Sequence, residues 1–163
     1  MIKNFNTAVY IMRLNKDDSK YDGLLKIGIS NNISRRIKEI GNVSCEWNDN
    51  YRAPRAVVMG IEMLAQAYAY LKIGRPNNYR QVLPVRSGSS EFFNTNNIRQ
   101  ARGFVIAAQR YANNLSHYPM EKIVEELIRW VKAKFSNAGK RLPQSFRMEI
   151  VRINQVLAQE KGA

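Results

Sequence analysis

The sequence predicts an α/β (α+β) fold, in which a small, mainly antiparallel three-stranded sheet is flanked by helices and followed by a helical C-terminal extension. Runs rich in β-branched and aromatic residues, separated by turn signals, occupy the N-terminal third of the chain. Longer segments with apolar residues at helical spacing follow. With 163 residues, 45% of them hydrophobic, the chain can bury a sizeable core.

The N-terminal unit is predicted to be a β-hairpin followed by a short helix. The two strands are Val9–Leu14 and Leu24–Ile29, and the polar turn between them is Asn15–Gly23. Isoleucines then recur at helical spacing over residues 33–40. The pair Asn31-Asn32 can cap this helix and Gly41 can end it. Residues 43–47 are expected to form the third strand.

Helices dominate the rest of the chain. Pro54 suits the first turn of a helix that extends to about Lys72, where Gly74 and Pro76 stop it. Residues 73–90 have no regular pattern, and the aromatic pair in Glu91-Phe92-Phe93 is expected to pack into the core. Three further helices are predicted at about 98–112, 123–135 and 146–159.

The charge of the chain favours a polyanionic partner. Its 26 Lys and Arg residues against 13 Asp and Glu residues give a net charge of +13, and neutralising phosphates releases condensed counterions. A merely soluble basic protein is the alternative. Cys45 is the only cysteine and no apolar run is long enough to span a membrane. With no signal-peptide pattern at the N-terminus, we expect a cytoplasmic protein without membrane contact.

Two tripeptides and a later arginine resemble a known nuclease signature. Ala8-Val9-Tyr10 lies on the first predicted strand, Lys26-Ile27-Gly28 lies on the second, and Arg36 follows Gly28 by eight residues. This arrangement resembles the GIY-YIG nuclease superfamily, in particular a phage- and bacterial-type subgroup whose second motif is K-I-G. The resemblance covers about residues 8–97, so we expect a nuclease domain at 1–97 and a basic helical extension at 98–163.

The resemblance implies a catalytic set made of Tyr10, Lys26, Arg36 and Glu62. Tyr10 would activate the attacking water, and Lys26 and Arg36 are expected to lower the pKa of its phenol from the usual value of about 10. Arg36 would bind the phosphoryl oxygens. Glu62 would hold one Mg²⁺ or Mn²⁺ ion. Each residue also has a structural interpretation: a half-buried strand tyrosine, a solvated lysine, a surface arginine and a solvated helix glutamate.

The predicted function is metal-dependent endonuclease cleavage of nucleic-acid phosphodiester bonds, with double-stranded DNA preferred to RNA. The alternative is a catalytically inactive nucleic-acid-binding protein of the same family, and a homodimer is possible. The basic side chains expected to bind the nucleic-acid backbone are Arg35, Lys38, Arg99, Arg102, Arg110, Lys132, Lys134, Lys140 and Arg141.

Overall fold

The described part of the protein, taken from a computed structural model, combines one antiparallel sheet with five helices. The structure describes residues 5–14, 24–41, 43–74, 92–94 and 97–162. The strands are β1 (Phe5–Leu14), β2 (Leu24–Ser30), β3 (Val43–Ala53) and β4 (Phe92–Asn94). The helices are α1 (Ile33–Ile40), α2 (Arg55–Lys72), α3 (Ile98–Asn114), α4 (Met120–Asn137) and α5 (Gln144–Lys161). The predicted α+β class is confirmed.

The sheet has the strand order β3-β1-β2-β4, and every neighbouring pair is antiparallel. The three predicted strands form its main part. The short strand β4 pairs with Leu24–Lys26 at the edge of β2 and adds a fourth strand. In the central hairpin, Tyr10 lies opposite Gly28. This register brings the two tripeptides together at their last residues, Tyr10 and Gly28.

The two faces of the sheet pack against different helices because side chains alternate along a strand. One face presents residues such as Val9 and Ile27 to the main core, which includes α2. The other face presents Tyr10 and Met12 to α1, where Ile40 closes a smaller cluster. Asn32 caps α1 by accepting a hydrogen bond from the Arg35 amide at 3.0 Å. The capping signal in the sequence therefore fixes where α1 begins.

Helix α2 lies at the centre of the molecule and contacts the sheet, α3, α4 and α5. Most of its side chains are buried on all sides, as expected of a helix that is apolar all round. Gly60 lets α4 approach closely, since a Cβ at this position would lie 2.8 Å from Cδ1 of Leu127. One hydrophobic core consequently includes residues from Val9 to Ile153.

Several predictions fall on residues outside the described part of the chain. These are the turn at 15–23, the irregular segment from residue 75 to 90, and Glu91. Phe93 is buried in the core as expected. The division at residue 97 stays a prediction, although the core contains residues from both sides of it. In the part of the chain that the structure describes, no helix has the length and apolarity needed to cross a membrane.

Candidate active site

A cleft of about 260 Å³ opens where the ends of β1 and β2 meet three helices. Helix α1 contributes Arg35, Arg36 and Glu39 to its lining, and the strands contribute Thr7, Ile29 and Ser30, followed by Asn31. Helix α2 contributes Arg55, Met59 and Glu62, which recur at i, i+4 and i+7 and so share one helix face. Helix α5 contributes Glu149 and Arg152.

Tyr10 lies beneath the cleft, fully buried between β2 and α1. Its ring passes directly over Gly28, where a Cβ would overlap the hydroxyl and lie 2.5 Å from Cζ. Glycine is therefore required opposite this tyrosine for steric reasons. The interpretation of Tyr10 as a half-buried strand residue is wrong, because its side chain has no exposed surface.

The Tyr10 hydroxyl accepts a hydrogen bond from the Arg36 guanidinium. Burial raises the pKa of Tyr10 to about 12, the hydrogen bond from Arg36 opposes this rise, and the charge of Glu62 adds to it. The expectation that neighbouring cations lower this pKa is wrong, because desolvation of the buried phenolate outweighs their effect. Tyr10 is thus a neutral phenol at neutral pH.

Lys26 is also fully buried, with 0% of its surface exposed, so the interpretation as a solvated lysine is wrong. Its Nζ lies 5.7 Å from the centre of the Tyr10 ring. Burial lowers the pKa of Lys26 to about 7, while the charge of Glu62 favours its protonated form. The charge of Lys26 therefore changes near neutral pH, and an ionised Glu62 favours the ammonium form.

Glu62 is 7% exposed and faces the cleft, which excludes the interpretation as a solvated helix residue. Burial, assisted by the charge of Glu149, raises the pKa of Glu62 to about 8. Lys26, Arg36 and a hydrogen bond from the Ile29 backbone N–H favour the ionised form. The Glu62 carboxyl group thus interacts with two cations, Lys26 of β2 and Arg36 of α1, and with one acid, Glu149 of α5.

Arg36 lies at the border between the buried cluster and the open cleft. Its side chain is 23% exposed, and Nη1 lies 3.2 Å from Oε2 of Glu39. Arg35 lines the same cleft and pairs with Glu39 at 3.5 Å. The Arg36 guanidinium is thus held by the Tyr10 hydroxyl and by Glu39, and it lines the cleft. Its remaining N–H donors can bind an anion there.

The structure brings all four predicted catalytic residues together. Tyr10, Lys26, Arg36 and Glu62 interact with one another through hydrogen bonding, ring contact and charge. Of the predicted nucleic-acid-binding residues, Arg35 lines the cleft and Lys38 is exposed on α1. The cleft lining, as far as the structure describes the chain, includes none of the seven in the extension: Arg99, Arg102, Arg110, Lys132, Lys134, Lys140 and Arg141.

Four charged residues of the cleft were not predicted as site residues from the sequence: Glu39, Arg55, Glu149 and Arg152. The spacing of Arg55 and Glu62 on one helix contains a usable signal, because residues seven apart share a face. For Glu149 and Arg152 the sequence holds no such signal. Their helix reaches the cleft only through its packing against α2.

The donor set of the cleft fits a hard divalent cation. Glu62 and Glu149 both face it, and carboxylate oxygens are preferred ligands of Mg²⁺. Among the described residues no group of three or more ligating side chains exists. Mg²⁺ commonly uses only one or two carboxylates, with water and substrate phosphate completing its coordination. A site of this composition is therefore suited to a cation that binds together with a phosphodiester.

Comparison with known protein families supplies one match. The sequence model of the T5orf172 domain matches residues 7–108, a span that includes most of β1, all of β2 to β4, α1 and α2, and most of α3. T5orf172 domains are phage-associated and nuclease-like, which supports a function related to nucleic acid. No curated protein and no solved structure matches the chain. Helices α4 and α5 lie outside the matched span.

Proposed function

We propose, from the premise that the chain belongs to the T5orf172 domain family, that it is a metal-dependent endonuclease of the GIY-YIG type. Its substrate would be a nucleic-acid phosphodiester, with DNA preferred to RNA. One observation carries the proposal: Arg36 and Glu62 line one cleft, and the buried Tyr10 and Lys26 interact with them from separate elements. A basic chain of net charge +13 supports the same class of substrate.

Arg36 is the residue that would bind the scissile phosphate. Its guanidinium borders the opening and can donate two parallel hydrogen bonds to phosphate oxygens. Charge that develops on these oxygens during attack is stabilised most by donors already in place. The hydrogen bond to the buried Tyr10 hydroxyl provides this preorganisation.

Tyr10 would act mainly by positioning Arg36. With a pKa raised to about 12, its phenol holds its proton and is a weak base at neutral pH. Its ring is packed against Gly28, and its hydroxyl oxygen is hydrogen-bonded to Arg36 of α1. Lys26, whose Nζ lies 5.7 Å from the centre of the ring, would favour the ionised form of Glu62.

Glu62 would hold the divalent cation at the floor of the cleft, with Glu149 as the second carboxylate available to it. When bound, such a cation supplies electrostatic stabilisation of the phosphoryl group and of the leaving oxygen. Glu62 must release its proton before it can act as a ligand. Lys26 and Arg36 assist this release because both favour the carboxylate.

Plasmid cleavage tests the proposal. Supercoiled DNA, linear duplex and RNA would be incubated with the protein in Mg²⁺, in Mn²⁺ and in chelator. We expect nicking that requires the cation, and a loss of about 100-fold or more in Arg36→Ala and in Glu62→Gln. Binding of the same DNA in chelator should remain nearly unchanged in Glu62→Gln, and should weaken in Arg36→Ala by no more than about tenfold, the loss expected for one phosphate contact.

The matched control is Arg129→Ala, which removes an exposed arginine on α4 outside the cleft. Its cleavage rate should equal that of the wild type. Full activity in Arg36→Ala or Glu62→Gln would contradict the assigned roles. Salt-sensitive binding without nicking by the wild type would instead establish the inactive, nucleic-acid-binding alternative.

A further inference from the structure

We propose that Arg152, on the C-terminal helix α5, binds a second phosphate of the nucleic-acid strand whose scissile phosphate Arg36 engages. The inference rests on the proposed function and extends it to a substrate-binding residue outside the matched family span of 7–108. Under this proposal α5 forms one wall of the substrate cleft. The extension would then contact substrate through α5 rather than through the basic residues expected from the sequence.

The first support is the position of Arg152. It lines the same cleft as Arg35, Arg36 and Arg55, although it comes from the far end of the chain. Four arginines from three helices thus surround one opening. A flexible strand that carries one negative charge per nucleotide can occupy several such guanidinium groups at once. A single small anion would not need them all.

The second support is that the Arg152 side chain is available for binding. It is 71% exposed, and its Nη1 lies 3.7 Å from Oε2 of Glu149. An ion pair of this length at the surface contributes little to stability. Since a guanidinium has five N–H donors, most of them can still reach a phosphate. The ion pair with Glu149 restrains the Arg152 side chain, while its other N–H donors remain accessible to a phosphate.

The third support is that α5 is fixed against the rest of the site. Phe146, Ile150 and Ile153 are buried in the main core. The Glu160 carboxylate accepts hydrogen bonds from the backbone N–H groups of Arg55 at 3.0 Å and Ala56 at 2.7 Å. This contact ties the end of α5 to the start of α2. Arg152 therefore has a defined place beside the cleft.

The acids of the cleft make a nucleic acid a better fit than an acidic protein. Glu39, Glu62 and Glu149 line it together with the arginines. Carboxylates of an acidic partner protein would be repelled by these acids. A phosphodiester strand can bring a divalent cation between its oxygens and the acids. The mixed lining is thus suited to a strand bound together with a cation.

The test compares full-length Arg152→Ala with Arg147→Ala, which removes an exposed arginine of the same helix outside the cleft lining. Single-stranded and duplex DNA and RNA oligonucleotides would be titrated in chelator at several salt concentrations. We expect Arg152→Ala to weaken binding about five- to tenfold and to lower the slope of log K against log[salt] by about one. Arg147→Ala should match the wild type.

Cleavage kinetics provide the second readout. In Mg²⁺, Arg152→Ala should raise KM while leaving kcat near that of the wild type, because the lost contact is remote from the scissile bond. Arg152→Lys keeps the charge but not the bidentate geometry, so its KM should lie between those of the wild type and Arg152→Ala. Equal thermal midpoints of all variants would show that folding is unchanged.

The outcomes separate the two proposals. If the wild type cleaves nucleic acid but Arg152→Ala binds and cleaves like Arg147→Ala, the role of Arg152 is wrong while the endonuclease function stands. If the wild type cleaves nothing, the endonuclease function is wrong. The binding titrations in chelator then still decide whether Arg152 contacts the strand.

Discussion

At the scale of single residues, the buried carboxyl group of Glu62 is the most demanding feature of the cleft. Taking a carboxylate out of water is costly unless a cation compensates it. Here Lys26 and Arg36 offset part of the cost, whereas Glu149 adds to it. The result is a pKa of about 8, so that the group retains its proton at neutral pH. A divalent cation that displaces this proton would compensate the negative charge that Glu62 then carries beside Glu149.

This shift predicts how stability depends on pH in the absence of metal. An unfolded glutamate releases its proton near 4.5, whereas folded Glu62 holds it to about 8. Between these values the folded state binds the extra proton, so the free energy of unfolding falls as pH rises. We therefore expect wild type to lose stability relative to Glu62→Gln between about pH 5 and 7. Above pH 7 the opposite titration of Lys26 begins to contribute.

The measurement is urea unfolding in chelator at a series of pH values. Glu125→Gln, at an exposed position of α4, is the control and should follow the wild-type pH profile. Parallel profiles for wild type and Glu62→Gln would mean that the carboxyl group titrates normally in the folded protein.

The identities of the four central residues could be inferred from the sequence, but their burial could not. Alternation along β2 places Lys26 on the face of Gly28 and Tyr10. Whether this face is open or covered depends on α1, which packs over it through Ile40. The raised pKa of Tyr10 follows from this covering and has no signature in the local sequence. Arg152 escaped prediction for the related reason that its neighbours in space are remote in sequence.

At the scale of secondary-structure elements, the start of α2 depends on a residue more than 100 positions away. Its N-cap residue, Pro54, has no side chain that can cap the helix. The carboxylate of Glu160 takes over this role by accepting hydrogen bonds from Arg55 and Ala56. A negative charge at a helix N-terminus is also favoured by the helix dipole. The C-terminal helix thereby supports the helix that carries Glu62.

Removal of this cap should destabilise the protein measurably. Glu160→Ala leaves two backbone N–H groups of α2 without their protein acceptor, and we expect a loss of about 1–2 kcal/mol. Gln159→Ala, one position earlier and exposed, should change the free energy of unfolding by less than about 0.5 kcal/mol. Thermal or chemical unfolding followed by circular dichroism distinguishes the two. Equal stability of both variants would show that the cap contributes nothing.

The helices could be predicted closely because their start and stop signals are local. Asn97 caps α3 by accepting a hydrogen bond from the Gln100 amide at 3.1 Å, one residue before the predicted start of that helix. The strands were harder to delimit. Strand β3 was expected to end at Trp47 but extends to Ala53. Its second half is polar and mostly exposed, and it is a strand because it pairs with the start of β1 at Phe5–Tyr10.

At the scale of the whole molecule, the matched family span and the C-terminal helices share one hydrophobic core. Residues of α4 and α5, including Leu127, Phe135 and Ile153, are buried against α2. Helix α2 would expose a large apolar face without them. We therefore expect a single cooperative unfolding transition, although motif reasoning divides the chain at residue 97. The two divisions differ because sequence motifs identify the residues of the site, whereas cooperative unfolding depends on which residues are buried in the same core.

The two tryptophans allow this cooperativity to be tested, because Trp47 lies on β3 and Trp130 lies on α4. Trp130→Phe and Trp47→Phe each leave one reporter, in the sheet and in the extension respectively. Leu127→Ala, added to both, removes a fully buried side chain beside Gly60 and should cost about 2–5 kcal/mol. We expect the urea midpoint reported by Trp47 and the midpoint reported by Trp130 to fall by the same amount. Lys132→Ala, at an exposed position on α4, should shift neither. A shift seen by Trp130 alone would establish that the extension unfolds as a separate unit.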